Sequence, residues 1–345
     1  MESIYKILDT IPSEMYDKLR DFIKNHWKEN HVFVSSKELL DFQHFNKESD
    51  LYHFIVALNK NTNEIDALIG YIPTCQYDSS LELGDYWGAI WKRRNDIDTP
   101  EGKTLGMDLF IHYLNLPQVS SLCGISLSND AYNWYKKLKW KMDFLHQYYI
   151  FNKTYSDFKL ANNVCTADLR DASIKKEKGW TLEHIKLEKL DDDVVKAVYR
   201  PRKSMEFLRN RYLRHPIYHY DYLGLFCESD LKAILVYRVC EGNGGKIIRI
   251  VDTLGELGGY IYPSMQTILQ EGEYEYADFL NYGIDKTIFT EMGFNELDFD
   301  NGNLILPNYF EPFERRNVKM TVVYKAKFPY VAFKGDADQD RPNVL

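Results

Sequence analysis

The stretch PEGKTLGMDLF, residues 100–110, sets two glycines, a threonine and a lysine at the head of a strongly apolar run. Met107, Phe110, Ile111 and Leu114 fall at i, i+3, i+4 and i+7, so the spacing predicts a helix that starts near Thr104 and stops before Pro117. A helix start leaves amides without intrahelical partners at the positive end of the dipole, and such amides receive anions. A large side chain there would keep a diphosphate out. Gly102, Thr104 and Gly106 are small where clearance is needed, and Lys103 adds charge at the rim. A turn residue at 102 and a helix-packing residue at 106 are the alternative uses of the two glycines.

Working outward, IPSEMYDKLRDFIKNHW (residues 11–27) carries Tyr16, Leu19, Phe22, Ile23 and Trp27 at helical spacing, with Thr10 or Ser13 as N-cap. Two strands follow around the polar turn Asn59 to Glu64, then a third, largely buried, in LELGDYWGAIWK (residues 81–92). After the helix of the opening stretch come a short strand in SSLCGISLS, a helix in DAYNWYKKLKW capped by Ser128 or Asn129, and a closing strand in MDFLHQYYIFN. The order is α, β, β, β, α, β, α, β.

The second half repeats this order: a strand pair in YLGLFCESDLKAILVYRV, a central strand in GGKIIRIVDTLG, a helix in IYPSMQTILQ, a strand in YEYADFL and a helix in GIDKTIFTEMGF. Phe289 stands where the first half has Tyr135, and Pro263 shortens the start of the helix matching the opening stretch. The expected organisation is a first domain over residues 1–152, a polar linker over 153–179 and a second domain over 180–345.

Bulk properties narrow the function. The chain has 345 residues, 45% of them hydrophobic, enough for two cores. A net charge of −8 argues against a nucleic-acid surface, and no run approaches the roughly 20 apolar residues of a membrane span. The N-terminal residues lack a signal-peptide pattern, which makes the cytoplasm the expected location. The five cysteines form no CxxC pair, so neither a disulfide framework nor a zinc site is expected. The alternating Asp336, Asp338 and Asp340 lack the distal Glu of a calcium loop, and no metal is expected there. Oligomeric state stays open.

One basic tract stands out: RPRKSMEFLRNRYLRHPIYHY, residues 200–220. Arg209, Arg211, Arg214 and His215 suit a phosphate or carboxylate, and Tyr218 suits a base or sugar face. The alternative is a solvated face whose arginines pair with Asp191 to Asp193.

The element order and the loop Glu101, Gly102, Lys103, Thr104, Leu105, Gly106 resemble the GNAT acyltransferase superfamily, whose phosphate loop reads Arg or Gln, two residues, Gly, one residue, Gly or Ala. Leu105 and Gly106 match; Thr104 replaces Gly and Glu101 replaces the basic residue. Ala131, Tyr135 and Trp140 fit the family's following helix, with Lys139 where Gly is usual and Asn129 near its frequent Asn. The resemblance implies an α/β fold of two GNAT-like domains, each a mixed, mostly antiparallel sheet flanked by helices, the first catalytic and the second degenerate. It implies acetyl-CoA held by Ile90, Trp91 and Lys92 of the central strand, by Gly102 to Met107 and by Asn129. Tyr135 becomes the proton donor to the thiolate, with Asp85, Glu82 or His146 as base.

The basic tract and the DxDxDRPN segment resemble tandem GNAT-like proteins of bacterial cell-surface polysaccharide and nucleotide-sugar biosynthesis. That implies acylation of an amino or hydroxyl group on an amino sugar or nucleotide-sugar. A non-catalytic GNAT-like binding protein and a Fem-type aminoacyl transferase are the alternatives.

Overall fold

The computed structural model describes residues 3–300, 302–309 and 313–342. The chain divides into two compact units, one of residues 1–125 with 324–327 and 341–345, the other of residues 126–323 with 328–340.

In the first unit, β1 (Tyr5–Leu8) precedes α1 (Tyr16–His26), which buries Leu19, Phe22 and Ile23, one stripe of a helical period. A short turn of helix over Ser13–Met15 leads into α1, so neither Thr10 nor Ser13 caps it. A one-turn helix, Val32–Ser35, and the helix α2 (Lys37–His44) are absent from the order read off the sequence; Ser36 caps α2 by accepting from the Leu39 amide. Three strands follow, β2 (Phe54–Asn59), β3 (Ile65–Pro73) and β4 (Asp85–Arg93), then α3 (Pro100–Leu114) and β5 (Ser121–Ile125). β3 is buried along its whole length, which its near-continuous apolar sequence requires.

The second unit opens with α4 (Asn129–Lys137), β6 (Lys141–Phe144) and β7 (His146–Phe151). Next come β8 (Trp180–Ile185), β9 (Asp221–Cys227), β10 (Asp230–Gly242) and β11 (Gly245–Gly255). The chain continues through α5 (Tyr262–Glu271), β12 (Tyr276–Tyr282), α6 (Lys286–Met292), β13 (Asn295–Glu296), β14 (Thr321–Ala326) and β15 (Ala332–Phe333). Its main core gathers Leu223, Leu235, Ile248, Ile250, Met265, Phe279 and Phe289 between sheet and helices.

The sheets repeat one plan. The first has the order β1-β2-β3-β4-β5-β14-β6, the second β8-β9-β10-β11-β12-β7-β13, with β15 added against β12. Antiparallel pairs run from β1 to β4 and from β8 to β11; β4 meets β5, and β11 meets β12, in parallel. In each sheet the sixth place is filled from the other half of the sequence. The expected closing strand of the first half is therefore two strands broken at Leu145, and β7 pairs with β12 from His146↔Asn281 to Phe151↔Tyr276.

The polar segment expected as a linker has a packed middle. The Glu275 carboxylate accepts from the amides of Lys159, Leu160 and Ala161, and Leu160 and Ala161 are buried in a second apolar cluster with Phe151 and Tyr276.

Candidate functional site

The central strand of the first unit changes partners along its length. β4 pairs with β5 at Asp85↔Ser121, Tyr86↔Leu122, Trp87↔Cys123 and Gly88↔Gly124, and there the pairing ends. On its other edge the register with β3 passes from Tyr71↔Gly88 to Ile69↔Trp91, so Ala89 and Ile90 together face Gly70. This is a bulge, which twists the strand away from its neighbour. The two strands part at the same place. The result is a notch between β4 and β5 that opens toward the C-terminal ends of both. From Ala89 to Arg93 the edge of β4 beside the notch is about 14 Å long at a strand's rise of about 3.4 Å per residue. Tyr113 of α3 closes the apex: its hydroxyl lies 3.3 Å from where a β-carbon on Gly88 would stand.

Helix α3 begins at Pro100, four residues before the expected Thr104. Thr99 is its N-cap, accepting from the Gly102 amide at 3.1 Å, and Pro100 takes the first turn, where its missing N–H costs nothing. The amides of Thr104 to Met107, expected to be open to an anion, thus lie inside the helix. The bareness of the stretch has another cause at Gly102: a β-carbon there would meet Ile97 Cγ2 at 2.1 Å and Thr99 Oγ1 at 2.9 Å. At Gly106 a β-carbon would only touch Trp91 Nε1 at 3.7 Å, an ordinary contact.

Charge at this helix start is already matched. Lys103 pairs with Asp98 at 2.7 Å, Arg94 with Asp66 and Asp96, and Arg93 donates to the Ile97 carbonyl at 2.8 Å. Glu101 accepts from the Ser3 hydroxyl and from the Ile4 amide. Trp91 stacks on Phe110 with centroids 5.1 Å apart, Ile90 is buried, and Lys92 donates to the Asn95 side chain. Ile90, Trp91 and Lys92 thus lie along β4 beyond its last pair with β5, while the Gly102 amide and Lys103 have partners within the chain.

The expected acid and bases fall on both units. Asp85 accepts from the Ser121 hydroxyl at 2.7 Å at the closed end of the notch, three residues before its apex, and Glu82 is exposed ahead of β4. His146 lies in the second unit, on β7, paired with Glu296 at 2.8 Å. Beside that pair is an open cleft of about 600 Å³ lined by Tyr149, Asp168, Glu296 and Asp298. Tyr135, also in the second unit, is buried and packs edge-on against Trp140 at 4.7 Å, the surroundings of a core aromatic; Asn129 is the exposed first residue of its helix. Lys139, where the family pattern has glycine, adopts φ of +56°, the left-handed conformation that Gly293 takes at +101° in the second half. Among the described residues no group of three or more His, Cys, Asp or Glu side chains could hold a metal ion.

The second unit contains a matching notch. β11 and β12 pair only at Ile248↔Ala277, Arg249↔Asp278 and Ile250↔Phe279, and the register with β10 slips at the next residue, Val251. This notch is filled by residues 332–340. β15 pairs with β12 at Asn281↔Phe333 and Tyr282↔Ala332, the Lys334 amide donates to the Leu280 carbonyl at 3.2 Å, and the Gly335 amide donates to the Val251 carbonyl at 2.8 Å. Gly335 has no alternative residue at hand: a β-carbon would meet Tyr212 Oη at 2.3 Å and the Val251 oxygen at 2.9 Å.

The basic tract holds this filling in place. Lys203 spans Asp252 and Asp336, each at 2.6 Å, and Tyr212 donates to Asp252 at 2.5 Å. Arg211 donates to the carbonyls of Gly335 and Ala337. Arg238 and Tyr220 both bind Asp340, at 3.2 and 2.7 Å. Burial lowers the Lys203 pKa, but its two carboxylates outweigh that and hold it above the ordinary lysine value. Burial and the neighbouring Asp252 raise the Asp336 carboxyl to about 6, while Arg238 and Lys334 overcome burial at Asp340 and hold it near 2.

The other expected substrate ligands are also engaged. Arg209 pairs with Asp192 and Arg214 with Glu206, and Tyr218 lies under the Arg238 guanidinium at 4.3 Å. Burial, with Arg211 nearby, drives His215 down to about 3, so the neutral ring accepts from the amides of Ile217 and Tyr218. The partners Asp252, Asp336 and Asp340 are far off in sequence, and no local signal pointed to them.

No protein-family profile matches this sequence, and no curated protein does. Among solved structures the chain is similar to a conserved protein of unknown function from Enterococcus faecalis V583, described as a probable N-acyltransferase, with a TM-score of 0.53 and 10% identity, covering 93% of this chain and 72% of that one. It is similar also to a GCN5-related N-acetyltransferase from Anabaena variabilis ATCC 29413, with a TM-score of 0.51 and 9% identity, covering 92% and 72%. At such identities the likeness is one of fold. The chain has the fold of GCN5-related N-acetyltransferases, in two GNAT-like halves.

Proposed function

We propose that the protein is an acyltransferase whose acyl-CoA donor lies in the first unit, its pantetheine arm extended along Ala89 to Arg93 in the notch between β4 and β5. The observation that carries this reading is the coincidence of the bulge at Ala89 and Ile90 with the end of strand pairing at Gly88↔Gly124. An extended amide-bearing arm complements an unpaired strand edge as another strand would. At the apex the thioester carbonyl meets the bulged backbone, whose N–H groups are placed to receive the developing oxyanion. The acceptor's nitrogen or oxygen forms the new bond to the acyl carbon, the carbon–sulfur bond breaks, and the proton lost by the acceptor ends on the CoA thiol.

The acceptor class is a small molecule bearing an amine or hydroxyl. Of the basic tract that suggested a nucleotide-sugar, Lys203 and Arg211 bind residues 332–340 while Arg209 and Arg214 pair with Asp192 and Glu206, and no ligand is assigned to it. With α3 capped by Thr99 and its cations paired, the strand edge rather than the diphosphate supplies most of the donor affinity. A non-catalytic module is the competing reading, favoured by that same capping.

Thermal unfolding with acetyl-CoA separates the outcomes: a ligand at 100 times its dissociation constant stabilises the folded state by about 2.7 kcal/mol. A raised melting temperature together with release of free CoA thiol in the presence of an amine mixture supports an enzyme. A raised melting temperature with no thiol release for any amine or alcohol supports a module, and no shift removes the donor site.

A further inference from the structure

The two notches are built alike, each a bulged central strand parting from a parallel neighbour one residue beyond the last pair. In the second, residues 332–340 bind both walls through backbone hydrogen bonds, to Val251 on β11 and to Leu280, Asn281 and Tyr282 on β12. An occupant held this way blocks the backbone groups that an acyl-CoA arm would need. It is also held by buried charge: Lys203, Arg211 and Arg238 each bind it, and its carboxylates at Asp336 and Asp340 are almost fully buried. Expelling it would take from Lys203 one of its two carboxylates and from Arg238 the Asp340 carboxylate, a cost in buried ion pairing that a strand-edge ligand has no means to offset.

We infer that residues 332–340 are a resident wedge in the second notch, a built-in peptide ligand, so that each chain binds a single acyl-CoA although its fold offers two places for one. The inference rests on the acyl-CoA reading only for the single-site count; the wedge itself is tested without ligand. The wedge also gives Lys203, Arg211 and Tyr220 of the basic tract their task, as the clamp of an internal strand.

The full-length chain tests this in two measurements. Hydrogen exchange without ligand is expected to show the Lys334 and Gly335 amides exchanging as slowly as those of β11; exchange as fast as an exposed loop overturns the wedge. Calorimetric titration with CoA is expected to give one site per chain, with the protection of residues 332–340 unchanged at saturation. Two sites, or loss of that protection on adding CoA, overturns the inference. Absence of any binding overturns the acyl-CoA reading instead, and the exchange measurement then decides the wedge by itself.

Discussion

The first notch and the second share a strand plan and differ in what meets the bulged strand. In the first, pairing of β4 with β5 stops at Gly88↔Gly124, and the strands part beyond it. In the second, pairing stops at Ile250↔Phe279, and the next carbonyl, that of Val251, accepts from the Gly335 amide. Two halves of like strand plan thus differ in that one has a piece of the chain paired along the parting strands. Where a fold provides an unpaired strand edge, that edge is a binding site for whatever extended backbone or backbone mimic reaches it first.

This contrast is easiest to break at the clamp. Lys203→Met leaves Asp252 and Asp336 facing each other in the interior without their shared cation, and breaking a buried pair this way costs about 3–5 kcal/mol. Urea unfolding checks it, and a loss below 1 kcal/mol would mean that the wedge is only loosely held. Arg238→Gln removes the guanidinium partner of Asp340, leaving the Tyr220 hydroxyl and the Lys334 charge, and the expected loss is about 2 kcal/mol. Gly335→Ala forces a methyl against Tyr212 and the Val251 oxygen at an expected cost of about 1–3 kcal/mol. All three variants lie in the second unit and are expected to leave CoA affinity unchanged.

In the first unit, Thr99→Ala removes the cap of α3 for a loss of about 1 kcal/mol. CoA affinity, by titration, is expected not to fall, because the Thr99 oxygen competes with a diphosphate for the Gly102 amide. The smallest effect contrasts the left-handed residues at the ends of α4 and α6. Lys139→Gly relieves a side chain held at φ of +56° and is expected to stabilise the protein by about 1 kcal/mol, whereas Gly293→Ala, at +101°, is expected to destabilise it.

A pH dependence sharpens the account of the wedge. Burial first, then the cations Arg249 and Arg238, depresses the Lys334 pKa to about 8. A base depressed in the folded state is costly to keep charged there, while the unfolded chain keeps it protonated up to its ordinary value. Wild-type stability therefore rises relative to Lys334→Met as pH increases from about 8 toward the ordinary lysine pKa. A flat difference across that window would mean that the lysine is solvated and residues 332–340 are not buried.

Much of the fold was legible in the sequence because its signals are local. Periodicity located α1 and most of α3, alternation located the meander, and the same order recurring after residue 180 revealed the second half. The start of α3 was misplaced although Thr99 and Pro100 form a cap and first-turn pair; the apolar stripe begins later and drew the boundary with it. The exchange of β7 and β14 between sheets left no trace, since strand alternation is the same whichever sheet receives the strand. The basic tract showed its charge and one nearby partner, Asp192 for Arg209, but not the partners of Lys203, since Asp252 and Asp336 lie 49 and 133 residues away, beyond the reach of local pattern.

The central claim is that the notch beside Ala89 to Arg93 receives acyl-CoA. Crystals grown with CoA test it most directly. The account predicts the pantetheine arm hydrogen-bonded along that edge of β4, its sulfur near the apex at Gly88 and Gly124, with residues 332–340 still seated in the second unit. CoA lodged in the second notch with those residues displaced, or absent from both notches at saturating concentration, would contradict it.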